Sequence, residues 1–299
     1  MFKTAPIYIE AYPDLHFNDV KDPCMVFDGE KWHLFTSGGW GPNHGGWQVT
    51  HMISENMHGP FRLHSTLNIM EGSCVAAPGV VYHKGLFYMT IQTGYQHLGE
   101  SIFLTTSKGD GVWTEPKMII GGLDHMCCYD AHISFVDDEM VVVYASYDER
   151  NMHRPNLYVS YPMRYITFEA RHRIKLLDCD DVKFHNAHYH HDYEWGLEGP
   201  QVLDIPGVGM LLTFVAFLGD RPRGQRQRLC FALASYKNLW WKILPPVVDP
   251  PENGENGHGM CFEHEGKFYC VLQERYSNYV WRPAITEIDL KTLKAAEPA

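Results

Sequence analysis

Three acidic residues, Asp22, Asp130 and Glu198, each begin a similar stretch of sequence. In each stretch a hydrophobic segment follows the acid, then a turn with Gly or Asp, then a second hydrophobic segment. If the stretches are copies of one unit arranged around an axis, acids at the same place in each unit converge on one point. Converging carboxyl groups can act as acid and base, and this is the chemistry that cleaves glycosidic bonds.

A carboxyl pair cleaves a glycosidic bond when one group is ionised and the other is protonated. In this hypothesis Asp22 takes a proton from water and Glu198 donates one to the leaving oxygen. Asp130 raises the pKa of Glu198 by like-charge repulsion and orients it. Taken singly, Asp-Pro and Glu-Gly-Pro are ordinary turn sequences, so we base the hypothesis on the trio. Asp19 is a rival base, although a predicted strand follows Asp22 more directly.

The repeated stretch also predicts the fold that would position these acids. Its five copies start at residues 22, 77, 130, 198 and 257. Turn dipeptides between their hydrophobic segments predict β-hairpins, at Asp28-Gly29, Lys84-Gly85 and Glu265-Gly266. Repeats of this length are typical of propeller blades, which are four-stranded antiparallel sheets. The sequence therefore predicts an all-β protein, a five-bladed β-propeller formed by residues 1–299 as a single domain. A β-sandwich with similar hairpins is the alternative.

Composition narrows the classes of partner. The 299-residue chain has a formal net charge of −11, which argues against nucleic acid as a partner. Its first residues lack the apolar segment of a signal peptide, and no stretch is apolar enough to span a membrane. The 8 cysteines form neither a zinc motif nor a dense disulfide framework. We therefore expect a cytoplasmic protein without membrane partners, although an exported protein that had lost its signal would look the same.

Five motifs in order resemble glycoside hydrolase family 43 and its relatives. They are Asp22-Pro23, Ala77-Pro78, Asp130-Ala131, Glu198-Gly199-Pro200 and Gly257-His258-Gly259. The resemblance extends from about Asp22 to Glu274, which is most of the chain. It implies a five-bladed propeller with arabinanase, arabinofuranosidase or β-xylosidase activity.

The resemblance also implies roles for individual residues. Asp22 matches the general base of that family, Asp130 the residue that orients and tunes the acid, and Glu198 the general acid. His258 matches a histidine near a central ion. The chain departs from the family at Lys21, where Arg usually precedes Asp-Pro. It departs again in the turn at residues 137–139, which reads Asp-Asp-Glu instead of Asp-Asp-Gly.

Candidate substrate contacts lie outside the trio. Trp40 and Trp195 occur in Gly-rich or polar segments, where a Trp either stacks on a sugar or packs between blades. Trp240 and Trp241 are expected to pack. His188 belongs to a His-rich segment before Glu198, and we expect it to contact substrate hydroxyls; a metal site is the alternative.

The last two candidates are an arginine-rich segment, for substrate binding, and a histidine, for binding an ion. Arg223 lies in a locally basic segment that is either a solvated loop or a site for a substrate carboxylate or phosphate. We expect no required cofactor. A structural Ca²⁺ or other ion could lie on the propeller axis, held by His258 through water because Ca²⁺ prefers oxygen ligands.

These observations favour one function over two alternatives. The favoured function is inverting hydrolysis of a pentosidic or related glycosidic bond, with a carbohydrate or small glycoside as substrate. One alternative is a glycan-binding propeller without hydrolysis. The other is a glycoside phosphorylase or transferase on the same scaffold, since a fold does not determine a function.

Overall fold

The computed structural model shows five four-stranded antiparallel sheets arranged as the blades of a propeller. It describes residues 1–10, 20–38, 48–67, 75–93, 100–121, 127–136, 138–148, 151–160, 173–185, 196–218, 227–235, 238–275 and 280–296. The first long strand of each blade contacts the first long strand of the next, and the fifth contacts the first. The predicted all-β, five-bladed propeller is therefore confirmed.

The blades follow one another along the chain. Blade 1 consists of β2 (Val20–Phe27), β3 (Trp32–Gly38), β4 (Gln48–Ser54) and β5 (Arg62–Leu67). Blade 2 consists of β6 (Val75–His83), β7 (Leu86–Thr93), β8 (Ser101–Ser107) and β9 (Lys117–Ile120). Blade 3 consists of β10 (Cys128–Val136), β11 (Glu139–Asp148), β12 (Asn151–Ser160) and β13 (Ile174–Leu177). In each blade the first strand is the inner strand, which lies at the axis.

The last two blades include both ends of the chain. Blade 4 consists of β14 (Glu198–Ile205), β15 (Gly209–Phe217), β16 (Gln227–Ser235) and β17 (Asn238–Ile243). Blade 5 consists of β18 (Glu255–His264), β19 (Lys267–Arg275), β20 (Trp281–Glu287) and β1 (Ala5–Pro6). A 3₁₀ helix spans Cys179–Asp181, and the helix α1 spans Leu290–Ala295. Within the described ranges, both helices are far too short to cross a membrane.

Pairing of β1 with β20 closes the ring. Ala5 pairs with Ile285 and Pro6 with Ala284, so a strand from the start of the chain completes a blade from its end. The backbone N–H of Ile7 extends this pairing by donating to the carbonyl of Pro283 at 3.1 Å. Hydrogen bonds therefore hold the last blade to the beginning of the chain.

Burial follows the position of a strand within its blade. Every residue of β3 is buried, because the neighbouring blades cover both faces of this second strand. The outermost strand β5 mostly alternates exposed and half-buried residues, as a strand with one solvated face does. Two of the three predicted hairpin dipeptides, Lys84-Gly85 and Glu265-Gly266, have positive φ at both residues, as a type I′ turn requires. The third, Asp28-Gly29, lies in a four-residue loop between the paired residues Phe27 and Trp32.

A buried histidine pair lies in blade 1. His33 and His51 are 4% and 1% exposed, and Nδ1 of His33 lies 2.8 Å from Nε2 of His51. The other ring nitrogen of His33 contacts Oδ2 of Asp28 at 3.0 Å. Burial, together with the neighbouring His33 and His64, lowers the pKa of His51 from 6.5 to about 2. Burial likewise lowers the pKa of His33, so both rings are neutral at pH 7.

This pair predicts a loss of stability in mild acid. Below pH 6.5 the unfolded chain protonates His51, whereas the folded protein does not until about pH 2. Between pH 6.5 and about pH 2, each unit by which the pH falls therefore lowers the free energy of unfolding by about 1.4 kcal/mol. Urea unfolding at pH 7.5 and pH 5.0 measures the loss, which should be smaller in His51→Gln than in the wild type. His58→Gln, at an exposed histidine, should retain the wild-type loss. An equal loss in wild type and His51→Gln would contradict this account.

Candidate active site

A β-bulge in every inner strand directs side chains toward the axis. At each bulge the pairing register shifts, and one residue has positive φ. These bulge residues are Asp22 (φ 50°), Ala77 (47°), Asp130 (51°), Gly199 (54°) and His258 (39°). Positive φ is uncommon outside glycine and concentrates at functional sites. The register shifts show that the Asp-Pro and Ala-Pro pairs are bulges within strands and not turns. Bulges next to active sites re-aim side chains.

Glu198 is not at the position of the other two acids, contrary to the sequence prediction. It precedes the bulge, and Gly199 is the bulge residue of blade 4. The bulge residue of blade 5 is His258, not Gly257. Two acids and one histidine therefore share equivalent positions, while Glu198 approaches from the preceding position of its own strand.

Neighbouring blades fix these bulges by hydrogen bonds. The backbone N–H of Asp22 donates to Oε1 of Gln273 at 2.8 Å, and that of Asp130 donates to Oε1 of Gln92. The N–H of Ala77 donates to Oγ of Ser37 at 2.7 Å. Each acceptor lies on the second strand of the preceding blade, so the positions of the acids depend on the closed ring.

His258 lies between all three acids. Its Nδ1 is 3.3 Å from Oδ1 of Asp22, and its Nε2 is 3.2 Å from Oδ2 of Asp130 and 3.8 Å from Oε2 of Glu198. The four side chains are between 8% and 14% exposed. The structure thus brings together the three acids that the sequence predicts to be catalytic, with a histidine at their centre.

The imidazole of His258 carries a positive charge. Burial alone lowers the pKa of His258, but the negative charges of Asp130 and Asp22 outweigh burial and raise it well above 6.5. A protonated ring donates from both nitrogens, which matches the acids that face its two sides. The charged ring therefore offsets the repulsion between Asp22 and Asp130.

Glu198 is held in its protonated form more readily than an ordinary glutamate. Its pKa is raised above 4.5, first because burial disfavours the carboxylate, and the charge of Asp130 adds to this rise. His258 and Lys21 act in the opposite direction and lower the pKa. Asp130 and His258 therefore tune the same acid with opposite signs.

Gly199 leaves the space that His258 occupies. A Cβ atom at residue 199 would lie 3.2 Å from Nδ1 of His258 and 3.3 Å from its Cγ. The φ of 54° also disfavours a side chain here. A glycine after Glu198 thus allows the ring of His258 to reach all three acids.

The sequence reasoning missed Glu100, a buried acid close to the trio. It lies just before β8 and is 5% exposed. In the part of the chain that the structure describes, its Oε1 has no hydrogen-bond partner. Burial, with the charges of Asp130 and Glu198, raises the pKa of Glu100 to about 9. Glu100 stands outside the five motifs, so no signal in the sequence distinguished it.

Replacing Glu100 by Gln should stabilise the protein at neutral and alkaline pH. The folded-state pKa of about 9 exceeds the ordinary value of 4.5, so folding keeps Glu100 protonated where the unfolded chain ionises it. The wild type therefore loses stability as pH rises from 4.5 to 9, and the neutral amide avoids this loss. We expect the stability advantage of Glu100→Gln over the wild type to grow by about 1.4 kcal/mol for each pH unit above 4.5, and to disappear near pH 4.5. Glu263→Gln, at an exposed site, is the control; a gap independent of pH would contradict the assignment.

The donor atoms allow a cation at the axis. One ligand atom each from Asp130, Glu198 and His258 lie within 4.8 Å of one another. Carboxylate oxygens suit Ca²⁺, but the protonated ring of His258 already places a positive charge among them. A calcium ion would therefore have to compete with the imidazolium, and the expected axial ion stays a prediction.

The remaining sequence candidates divide into two groups. Trp40, His188, Trp195, Arg223 and Asp19 lie outside the described residues, so their roles stay predictions. Trp241 packs against a hydrophobic cluster of blades 3 and 4, as expected. Trp240 does not: it is 84% exposed on the outermost strand of blade 4, because alternate residues of an edge strand face solvent.

Fold and site together define a five-bladed β-propeller with an acidic centre. An endo-arabinase from Bacteroides thetaiotaomicron superposes with a TM-score of 0.71 and 13% identity, covering 96% of this chain and 100% of that chain. The catalytic domain of the Coprinopsis cinerea GH62 α-L-arabinofuranosidase superposes with a TM-score of 0.66 and 14% identity, covering 96% of each chain. The Cellvibrio cellulosa α-L-arabinanase, also solved with arabinohexaose, superposes with a TM-score of 0.63 and 18% identity, covering 94% of this chain and 98% of that chain.

These similarities are similarities of fold. No family model matches the chain, and no curated protein matches it in sequence. The resemblance that the five motifs carry is confirmed at the level of architecture, because the solved structures are arabinanases and arabinofuranosidases.

Proposed function

We propose that this protein is a glycosidase that hydrolyses a pentosidic or related glycosidic bond with inversion of configuration. The observation that carries the proposal is the placement of Asp22 and Glu198 on opposite sides of the charged ring of His258. Support also comes from the fold, which solved arabinanases and an arabinofuranosidase share.

The two acids have different roles in this reaction. Asp22 accepts a proton from a water molecule as the water oxygen bonds to the anomeric carbon. Glu198 donates its proton to the glycosidic oxygen as the bond from that oxygen to the anomeric carbon breaks. The raised pKa of Glu198 supports its role as the acid.

Asp130 and His258 position and tune this pair. The charge of Asp130 favours the protonated form of Glu198, and the imidazolium of His258 limits this effect. The same imidazolium contacts Asp22 and Asp130, so it holds the base and the tuning residue at fixed positions. If Ca²⁺ bound at the axis, Asp130 and Glu198 would hold it and it would add positive charge at the centre.

The placement of the two acids supports inversion. Asp22 and Glu198 face opposite nitrogens of one imidazole ring, at 3.3 Å and 3.8 Å. The ring keeps the two carboxyl groups from direct contact, and an inverting pair stands roughly 6.5–9.5 Å apart, farther than the roughly 5 Å of a retaining pair.

A substrate screen tests the proposed activity. Aryl pentosides and hexosides should be assayed at mildly acidic pH with the wild type and with Asp22→Asn as the inactive control. We expect the wild type to release free sugar from at least one pentoside. Sugar phosphate formed only with added phosphate would identify a phosphorylase, and glycan binding without turnover would identify a binding propeller; either result would reject hydrolysis.

A further inference from the structure

A second ring of residues surrounds the axis two positions after the bulge residues. These post-bulge residues are Cys24, Gly79, His132, Gln201 and Met260. They line the same axial cavity as Asp22, Asp130 and His258. The proposed acid–base reaction does not use any of the five.

Three of the post-bulge side chains end in atoms that bind soft metals, and two of them contact the sulfur of the third, Cys24. Sγ of Cys24 lies 3.1 Å from Sδ of Met260 and 3.9 Å from Nε2 of His132. Their exposed fractions are 2%, 7% and 7%. A thiolate, a thioether and an imidazole together form a ligand set that favours Cu(I) over hard cations.

The glycine of blade 2 lets these side chains meet. Blade 5, on one side of Cys24, supplies Met260. Blade 2, on the other side, supplies Gly79, where a Cβ atom would lie 2.2 Å from the carbonyl oxygen of Ala131. Since no side chain fits at residue 79, no side chain at this position of blade 2 separates Cys24 from His132 of blade 3.

His132 is a buried imidazole that presents one ring nitrogen to Cys24. Its Nε2 points at the sulfur of Cys24, 3.9 Å away. Imidazole nitrogens bind copper as well as zinc and iron.

Backbone amides and charge also suit a monovalent ion. The N–H of Val80 donates to Sγ of Cys24 at 3.0 Å, and the N–H of Met25 donates to Sδ of Met260 at 3.3 Å. Both sulfurs are therefore oriented before any ligand arrives. A monovalent cation bound to one thiolate forms a neutral pair, which costs less to bury than a divalent ion with the same ligands.

We propose that Cys24, His132 and Met260 bind one Cu(I) ion on the propeller axis, beside the acidic centre. Binding forms a bond between copper and the sulfur of Cys24, and the thiol proton passes to solvent without a change of oxidation state. The three ligands come from blades 1, 3 and 5, so the ion ties three of the five blades together.

Anaerobic titration with Cu(I) against bicinchoninate tests the site. The wild type should bind one equivalent. Cys24→Ser should weaken binding by at least about 100-fold, more than the loss of a supporting residue usually costs, and Met260→Leu by about 10-fold. Cu(I) should raise the Tm of the wild type, because a ligand that binds only the folded state stabilises it, and should raise that of Met260→Leu less.

A matched control uses another close pair of buried sulfurs, Cys261 and Cys270. Cys270→Ser should bind copper like the wild type. If Cys24→Ser does not fold, the volume-conserving Met260→Leu variant decides the question. No uptake by the folded wild type, or uptake that survives Met260→Leu unchanged and is lost in Cys270→Ser, would overturn the proposal. These measurements require no turnover, so they stand apart from the test of hydrolysis.

Discussion

Asp22→Asn should reduce kcat/KM for a cleaved glycoside by about 10³-fold, because an amide cannot accept the proton of the attacking water. Glu198→Gln should show a loss that depends on the leaving group. A 4-nitrophenolate leaves without help from an acid, so kcat/KM for its glycoside should fall only about 10-fold in this variant. For a glycoside with a sugar or alkyl leaving group, kcat/KM should fall about 10³-fold. The loss in Asp22→Asn should be similar for both kinds of substrate.

Initial rates on an aryl glycoside and on a natural-type disaccharide measure this difference. Glu263→Gln is the control, because this exposed glutamate lies on the inner strand of blade 5 away from the cavity. Far-UV circular dichroism should show that each variant is folded. A folded Asp22→Asn with near-wild-type activity would remove Asp22 as the base and favour Asp19. A loss in Glu198→Gln that ignored the leaving group would remove Glu198 as the acid.

Asp130→Asn and His258→Gln should shift the alkaline limb of the pH–rate profile in opposite directions. Asp130 raises the pKa of Glu198, so its removal should lower that pKa and move the limb to lower pH. His258 lowers the pKa of Glu198, so its removal should move the limb to higher pH. We expect shifts of about one pH unit, equivalent to about 1.4 kcal/mol of interaction.

The rates should change together with the profiles. Asp130→Asn should be slow near neutrality and recover partly in acid, where Glu198 is protonated again. His258→Gln should be about 10²-fold slower throughout, because Asp22 and Asp130 lose the cation that holds them. Measurement of kcat/KM from pH 4 to pH 9 gives both profiles. If the alkaline limbs of both variants shifted in the same direction, or if the rates fell without any shift of the alkaline limb, the two residues would position substrate and would not tune the acid.

Much of the fold was predictable from the sequence because each blade repeats the same local pattern. The hairpin dipeptides, such as Lys84-Gly85, fix turn type and register through backbone conformation alone. The inner-strand motifs then fall at the axis by repetition. The acids Asp22 and Asp130 could be predicted for the same reason, since they occupy equivalent positions.

Other parts of the site depend on contacts between distant segments. The one-residue offset of Glu198 arises from the position of a bulge, which hydrophobic patterning does not show. The raised pKa of Glu100 comes from burial beside blades 3 and 4, far from it in sequence. His258 was predicted near an ion, but its contacts with three acids require the closed ring and the space left by Gly199.

Proton NMR of the first product tests the central proposal most directly. A cleaved glycoside should be mixed with enzyme in the spectrometer and followed before mutarotation. If Asp22 activates water while Glu198 protonates the leaving oxygen, the first free sugar to appear should have the anomeric configuration opposite to that of the substrate. A first product with the substrate's own configuration would require a covalent intermediate on one acid and would contradict the roles proposed for this pair.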